Sequence, residues 1–175
     1  MNGQVIGKTM SNGFAGSYSR QPDMIIDSHP AGSDIAFGEP VVYDGVKVVS
    51  VGEALKASTL TASTTAANFV GVASREVKSA VDYLNSEKGQ YHLNEIASIL
   101  KRGRVNVACQ KGTPALNGDV YVRVEANASY PTAVVGGFEA AADSTKTVKL
   151  TNAKWRGAAD GNGIAELSIL SQINA

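Results

Sequence analysis

The strongest constraint on the fold is a two-residue periodicity in two Val-rich stretches near the middle of the 175-residue chain. Apolar residues occupy every second position in both stretches, namely Val105, Val107, Cys109, Val120, Val122 and Val124. Such alternation is typical of half-buried β-strands, whose successive side chains point to opposite faces. We therefore predict a pair of strands, joined by a turn at residues 111–118.

Shorter stretches of the same kind, separated by turns that contain Gly, extend this pattern along the chain. They are residues 38–43, 46–51, 68–73 and 146–150, and a last strand with Ala165, Leu167 and Ile169 on one face. Asp44-Gly45 is a hairpin signal, because both central residues of such a turn must tolerate positive φ. Gly71 predicts a close backbone approach or a bulge. The expected fold is mainly β, a small antiparallel β-barrel or β-sandwich.

Residues 74–102 interrupt the strand pattern. Apolar residues there follow the three- and four-residue spacing of an amphipathic helix twice, at Val77, Val81 and Leu84 and again at Leu93, Ile96 and Leu100. On spacing alone, the first group predicts a helix from about residue 74 to 85, and the second predicts another helix before Gly103.

Residues 1–36 differ in composition from the rest of the chain, because they are polar and rich in Gly and Ser. Such a segment is either disordered or ordered by lying on something else. It nevertheless carries good contact residues, namely Phe14, Tyr18, Arg20, Met24, Ile25 and Ile26. We predict an extended N-terminal arm with a docking surface, followed by a body at residues 37–175 with a surface excursion at about 53–67. The alternative is a plain flexible tail.

The core is expected to be thin, since the hydrophobic 43% of the chain contains only four Phe and one Trp. Trp155 lies between Lys154 and Arg156 and has two interpretations of equal weight. It is an interface anchor, because Trp and Arg are enriched at binding hot spots, or it is simply the largest residue of the core.

Charge and cysteine content exclude several classes of partner. Lys and Arg together balance Asp and Glu at 16 each, so no net field attracts nucleic acid or an anionic membrane. No apolar run approaches the roughly 18 residues of a membrane span, and the N-terminus lacks a secretion signal. The single Cys109 cannot form an intrachain disulfide, and we expect it to be a buried small hydrophobe rather than a reactive thiol.

Motifs that would carry chemistry each fail on spacing. The stretch Gly3–Thr9 has three residues between its glycines where a phosphate-binding loop needs four. Asp27-Ser28-His29 is contiguous, whereas a hydrolase triad is assembled in space. Residues 160–163 resemble half of a calcium loop, but no carboxylate closes it, so we expect a hairpin turn. The sequence therefore suggests a non-enzymatic protein and offers no catalytic residue, no cofactor site and no metal ligand.

Taken in order, these segments resemble the capsid decoration, or structural cement, proteins of tailed bacteriophages. The resemblance runs nearly end to end, through residues 13–23, 37–42, 69–78, 100–103 with the following strand, 118–123, Trp155 and 164–167. The Thr-rich stretch 53–67 departs from it, because it is long for such a protein.

The resemblance implies a small β-barrel or sandwich that binds the outside of an icosahedral shell, often as a homotrimer. It also implies that the protein clamps neighbouring major capsid proteins, is made in the bacterial cytoplasm and resides on the virion. For residues 74–102 it implies extended chain rather than helix. The alternatives are another virion component, such as a tail-tube or head-tail joining protein, and an enzyme or glycan-binding module on a β scaffold.

Overall fold

A computed structural model describes residues 11–76 and 89–171. The strands are β1 Tyr18–Pro30, β2 Ile35–Ala36, β3 Pro40–Asp44, β4 Lys47–Ser50, β5 Phe69–Ala73, β6 Gln90–Tyr91, β7 Ile96–Lys111, β8 Asp119–Arg123, β9 Phe138–Glu139, β10 Thr147–Trp155 and β11 Ile164–Ile169. The helices are α1 Val51–Lys56 and α2 Thr65–Asn68, with 3₁₀ turns at Ala62–Thr64 and Ser144–Lys146. The prediction of a mainly β fold is confirmed.

Five strands form a closed barrel. The C-terminal half of β7 pairs with β11 on one side and β9 on the other, and β8 and β10 complete the circuit. Only the β7–β9 pairing in this ring is parallel. Val105 and Val107 face Leu167 and Ala165 across the β7–β11 ladder, and all four are fully buried. The period-two pattern of the sequence therefore corresponds to the inward face of a barrel.

The N-terminal half of β7 belongs to a second layer. There it pairs with β1 and with β5, which continues through β3 to β4. An isolated bridge between Ala31 and Val48 brings the end of β1 back to β4. The small sheet of β2 and β6 adds Ile35 and Tyr91, both fully buried, to this region.

The described residues form two hydrophobic cores, one on each face of the β4–β3–β5–β7 layer. The main core fills the barrel and includes Leu100 and Trp155, whereas the second core contains Ile99 and Tyr91. Neighbouring residues of one strand enter different cores, as Ile99 and Leu100 do. Strands buried on both faces need continuous apolar runs, which explains why this part of the sequence lacks clean alternation.

Two turn and glycine predictions are confirmed. Asp44 and Lys47 pair across the β3–β4 hairpin, and Gly45 at its tip has a φ of +61°. A Cβ at Gly71 would lie 2.3 Å from the carbonyl oxygen of Leu100, so only glycine permits the β5–β7 approach.

The predicted helix around Leu93, Ile96 and Leu100 is wrong, because residues 96–111 form the long strand β7. Leu93 and Ile96 are 55% and 62% exposed, so they form no buried helical stripe with Leu100. Of the helix predicted from residue 74 to 85, residues 74–76 are not helical and the remainder lies outside the described residues. Residues 96–102 are extended, as the family resemblance implied, whereas residues 93–95 form a turn.

The predicted strand pair is present but is not a direct pair. Strand β9 lies between β7 and β8, because Phe138 pairs with both Cys109 and Val122. The stretch 53–67 contains most of α1, a 3₁₀ turn and the start of α2. Most of its residues are exposed, but Ala54, Leu60 and Thr65 are buried.

Candidate functional site

The described residues just before β1 are hydrogen-bonded to the body of the protein. The backbone N–H of Asn12 donates to Asp160 Oδ2 at 2.7 Å, and its side-chain amide donates to the Ile164 carbonyl at 2.7 Å. Further on, the Gly16 N–H donates to the Asn106 carbonyl at 2.8 Å. Gly16 has a φ of +80°, and a Cβ there would lie 2.8 Å from the Gly38 nitrogen. Residues 12–16 are thus held closely against the barrel.

This attachment fixes an exposed aromatic ring. Phe14 is 67% exposed, and the guanidinium carbon of Arg75 lies 4.7 Å from its ring centroid. The same guanidinium lies 5.7 Å from the ring of Phe37, which packs edge-on against Tyr91. A cation placed over an aromatic face is attracted by the ring quadrupole. Phe14 is therefore oriented by Arg75 while most of its surface faces solvent.

The contact residues predicted in β1 divide into an outer and an inner set. Tyr18, Arg20 and Ile25 are exposed, whereas Met24 and Ile26 are half-buried and pack against the main core. Strand β1 pairs with β7 from Tyr18 opposite Val105 to Pro30 opposite Ile96. Residues 18–30 are extended, but they belong to the sheet of their own chain. Any separate arm in residues 1–10 lies outside the described residues.

Trp155 has no exposed surface within the chain and belongs to the main core. Its position at the end of β10, opposite Leu167 of β11, explains this burial. Of the two interpretations of this residue, the structure places it as the core residue. The exposed members of the predicted contact set are then Phe14, Tyr18, Arg20 and Ile25.

Sequence reasoning missed two charged groupings. Arg20 Nε and Arg104 Nη1 both bind Glu166 Oε1, at 3.2 and 3.3 Å. On the other side of the barrel, Arg123 binds Glu139 and Asp143. The paired residues are far apart in sequence. Each carboxylate therefore stands alone in the sequence and meets its arginine only in the folded barrel. The one local signal was the Arg102-Gly103-Arg104 tripeptide, in which two arginines flank a glycine.

The groups considered for chemistry have structural roles. Asp27 binds Lys101 at 2.5 Å, while His29 Nε2 lies 3.2 Å from the Tyr43 hydroxyl, so no triad forms. Asp160 Oδ1 accepts from the backbone N–H groups of Asn162 and Ile164, which makes the 160–163 segment a turn as predicted.

Neither a metal site nor a reactive thiol emerges from the described part of the chain. In residues 11–76 and 89–171, no three His, Cys, Asp or Glu side chains converge to hold a metal ion. Cys109 is half-buried against the main core, and burial raises the pKa of its thiol, which disfavours the reactive thiolate.

Comparison with known proteins decides what kind of structural protein this is. The family model described as "Structural cement protein (E217 gp24/Pam3 gp6)" matches residues 2–170. The chain belongs to the phage structural cement protein family. A chain of the solved structure "The capsid of Myoviridae Phage XM1" has the same fold, with a TM-score of 0.66, 13% identity, and coverage of 97% of this chain and 98% of that chain. No curated protein sequence matches significantly.

The family assignment confirms the resemblance found in the sequence, and it favours a capsid-stabilising decoration role over a tail-tube or joining protein. The cement role is structural rather than catalytic. Within the described ranges, none of the helices has the length and apolar character required to cross a bilayer. At 13% identity the likeness to that chain shows the fold alone.

Proposed function

We propose that this cement protein binds the outer surface of the phage head as a homotrimer and stabilises contacts between neighbouring major capsid protein subunits. The match to the cement family over residues 2–170 is the observation that carries the proposal. The protein is made in the host cytoplasm and ends on the virion. Its partners are the capsid protein and further copies of itself, rather than nucleic acid or membrane.

The contact surface in this proposal consists of Phe14, Tyr18, Arg20 and Ile25. Aromatic residues and Arg are enriched at interface hot spots, and a ring that is already oriented loses little conformational entropy on binding. The attachment of residues 12–16 to the barrel and the Phe14–Arg75 contact support this choice. Met24 and Ile26, on the same strand, pack against the main core, to which Trp155 belongs.

Contacts of this kind need not be tight individually. Anything that binds the assembled shell but not its separated subunits stabilises the shell by mass action. A trimer that engages several subunits at once also gains from effective concentration, because its second contact is intramolecular. Many modest contacts repeated over a shell therefore suffice.

The test is to mix purified protein with phage shells that lack it, sediment the shells, and image them by electron cryomicroscopy. We expect co-sedimentation and new density on the outer surface. Light scattering of the free protein should give three times the 18.2 kDa mass of the chain. Density at the tail or at the head-tail junction, with rings of six or more subunits, would overturn the proposal.

A further inference from the structure

A groove of about 450 Å³ opens where β1, β7, β10 and β11 meet. Four arginines line it, namely Arg20, Arg102, Arg104 and Arg156. The total charge of the chain is zero, so this cluster is a local concentration of positive charge. Leu170, which is 46% exposed, adds an apolar wall.

A bulge in β1 creates the groove. Arg20 pairs with Arg104 and Ile25 pairs with Arg102, so residues 21–24 of β1 have only Gly103 opposite them. Gly103 has a φ of +121°, and a Cβ there would lie 2.7 Å from the Asp23 carbonyl oxygen. Glycine is therefore required for the bulge to approach β7. Arg102 and Arg104 flank this glycine, and both line the groove.

The carboxylates at the groove neutralise only part of this charge. Arg20 and Arg104 share Glu166, and Arg102 Nε binds Asp23 Oδ1 at 3.1 Å. Among the described residues, four guanidinium groups thus face two carboxylates, which leaves an excess of two positive charges.

Of the four groove arginines, Arg156 is the one that has no carboxylate partner among the described residues. Its Nη1 donates to Asn117 Oδ1 at 2.9 Å, while no described residue accepts a hydrogen bond from its buried Nε. A guanidinium presents five N–H donors in a planar fork that matches a carboxylate, so Arg156 retains unused binding capacity.

We infer that this groove binds an acidic segment of the shell protein, with carboxylate side chains accepting hydrogen bonds from Arg156 and Arg102. This inference rests on the proposed function and adds the chemistry of the partner. A protein segment fits better than nucleic acid, because a duplex backbone is recognised by a cationic surface repeated along its length. Here the arginines form one short groove beside Leu170, in a chain without net positive charge.

The decisive variant is Arg156→Gln, because it removes a guanidinium without breaking an ion pair. Arg102→Gln is the second variant. The control is Lys56→Gln, which removes one charge from a side chain that is 69% exposed on α1, outside the groove. Binding to undecorated shells is measured by co-sedimentation at low and high salt, and urea unfolding verifies that each variant is folded.

Binding of soluble probes is measured in parallel by fluorescence anisotropy. The probes are labelled hexaglutamate, hexalysine and a short DNA duplex. We expect Arg156→Gln and Arg102→Gln each to weaken shell binding about tenfold and to reduce its salt dependence, since a charge-assisted hydrogen bond contributes about that factor. Hexaglutamate should bind the wild type, compete with shells and bind both variants less well, whereas Lys56→Gln should behave as wild type.

Three results would overturn the groove assignment. The first is shell binding that neither arginine variant changes, which leaves the proposed function intact. The second is DNA that binds more tightly than hexaglutamate. The third is wild-type protein that binds neither shells nor hexaglutamate, which defeats both proposals. If shells are not bound although hexaglutamate binds through Arg156, the proposed function and the shell protein as partner both fall, and the groove is a carboxylate site for another partner.

Discussion

Arg123 is a charged residue with no exposed surface, and its environment at the end of β8 explains how the fold tolerates it. Its Nε and Nη2 bind the two carboxylate oxygens of Glu139 at 2.6 and 3.1 Å, and Nη2 also binds Asp143 Oδ2 at 2.7 Å. Glu139 is equally buried, and Lys111 Nζ lies 3.1 Å from Asp143. These bonds tie the segment that contains β9 to the barrel wall.

Removal of one member of this pair should cost far more than removal of both. We expect Arg123→Met to lower the free energy of unfolding by about 3 to 5 kcal/mol, because it leaves the buried Glu139 carboxylate without its cationic partner. The double variant Arg123→Met with Glu139→Leu should recover most of that loss. Urea denaturation at neutral pH measures both changes. A double variant no more stable than the single one would contradict this account.

The same cluster predicts an acid-dependent loss of stability. Hydrogen bonds from Asn127, Arg123 and Lys111 hold the pKa of Asp143 well below its usual range. The unfolded chain therefore binds a proton at about pH 4, where folded Asp143 remains ionised. Its stabilising contribution is full above about pH 4 and disappears as pH falls toward the folded pKa.

Comparison of Asp143→Asn with wild type isolates this contribution. The variant should be less stable than wild type at pH 7, and the gap should close as the pH is lowered below about 4. The midpoint of urea unfolding, followed from pH 7 downward, provides the measurement. Parallel curves for the two proteins would exclude Asp143 as a source of the pH dependence.

At Phe14 the prediction concerns binding rather than stability. We expect Phe14→Ala to weaken shell binding by about 1 to 2 kcal/mol, as removal of an interface aromatic commonly does. The midpoint of unfolding should scarcely move, because the ring is 67% exposed. Val134→Ala is the matched control, since Val134 is also 67% exposed and lies in the segment between β8 and β9. Equal binding by the two variants would remove Phe14 from the contact set.

At the scale of elements, the close contact between β5 and β7 requires that residue 71 has no side chain. Gly71→Ala should destabilise the protein by about 1 to 3 kcal/mol, because the new Cβ would overlap the Leu100 carbonyl and force the strands apart. Gly157→Ala is the control, since a Cβ there meets no atom within 4 Å. Thermal unfolding compares the two, and equal melting temperatures would show that the strands yield without cost.

The elements that could be predicted from sequence are those whose signals are local. The Asp44-Gly45 hairpin and the alternation at Val105 and Val120 depend on neighbours within a few residues. By contrast, β9 is two residues long, and it is defined by its pairing with β7 on one side and β8 on the other. Strand β1 is largely polar. It pairs with β7, which is distant in sequence, so the sequence of β1 shows no alternation of apolar and polar residues that would predict the pairing.

For the candidate site, sequence reasoning found residue types but not their placement. Phe14, Tyr18 and Arg20 stood out because nothing nearby in sequence could bury them, and the structure leaves them exposed. The groove arginines were not grouped, because Arg20, Arg104 and Arg156 become neighbours only through the β1 bulge and barrel closure. Long-range register of this kind is set by tertiary packing and cannot be read from local spacing.

At the scale of the whole molecule, decoration should raise the temperature at which shells come apart. We expect shells mixed with protein to disrupt at a higher temperature than bare shells, with a shift that keeps growing with the concentration of free protein. Differential scanning calorimetry or release of packaged dye measures it. A shift that does not depend on concentration below saturation would contradict reversible binding, and Phe14→Ala protein at equal concentration should give a smaller shift.

The 16-residue strand β7 runs through both layers, and this continuity has a mechanical consequence. A pull that separates the two ends of the molecule acts along β7, so it loads the ladders with β1 and β11 in shear. In shear many hydrogen bonds share the force and must yield together, whereas a ladder opened from one end loses them one by one. We therefore expect the protein to be stiffest along the axis of that strand, so that it would resist stretching of the shell most strongly when this axis crosses a subunit boundary.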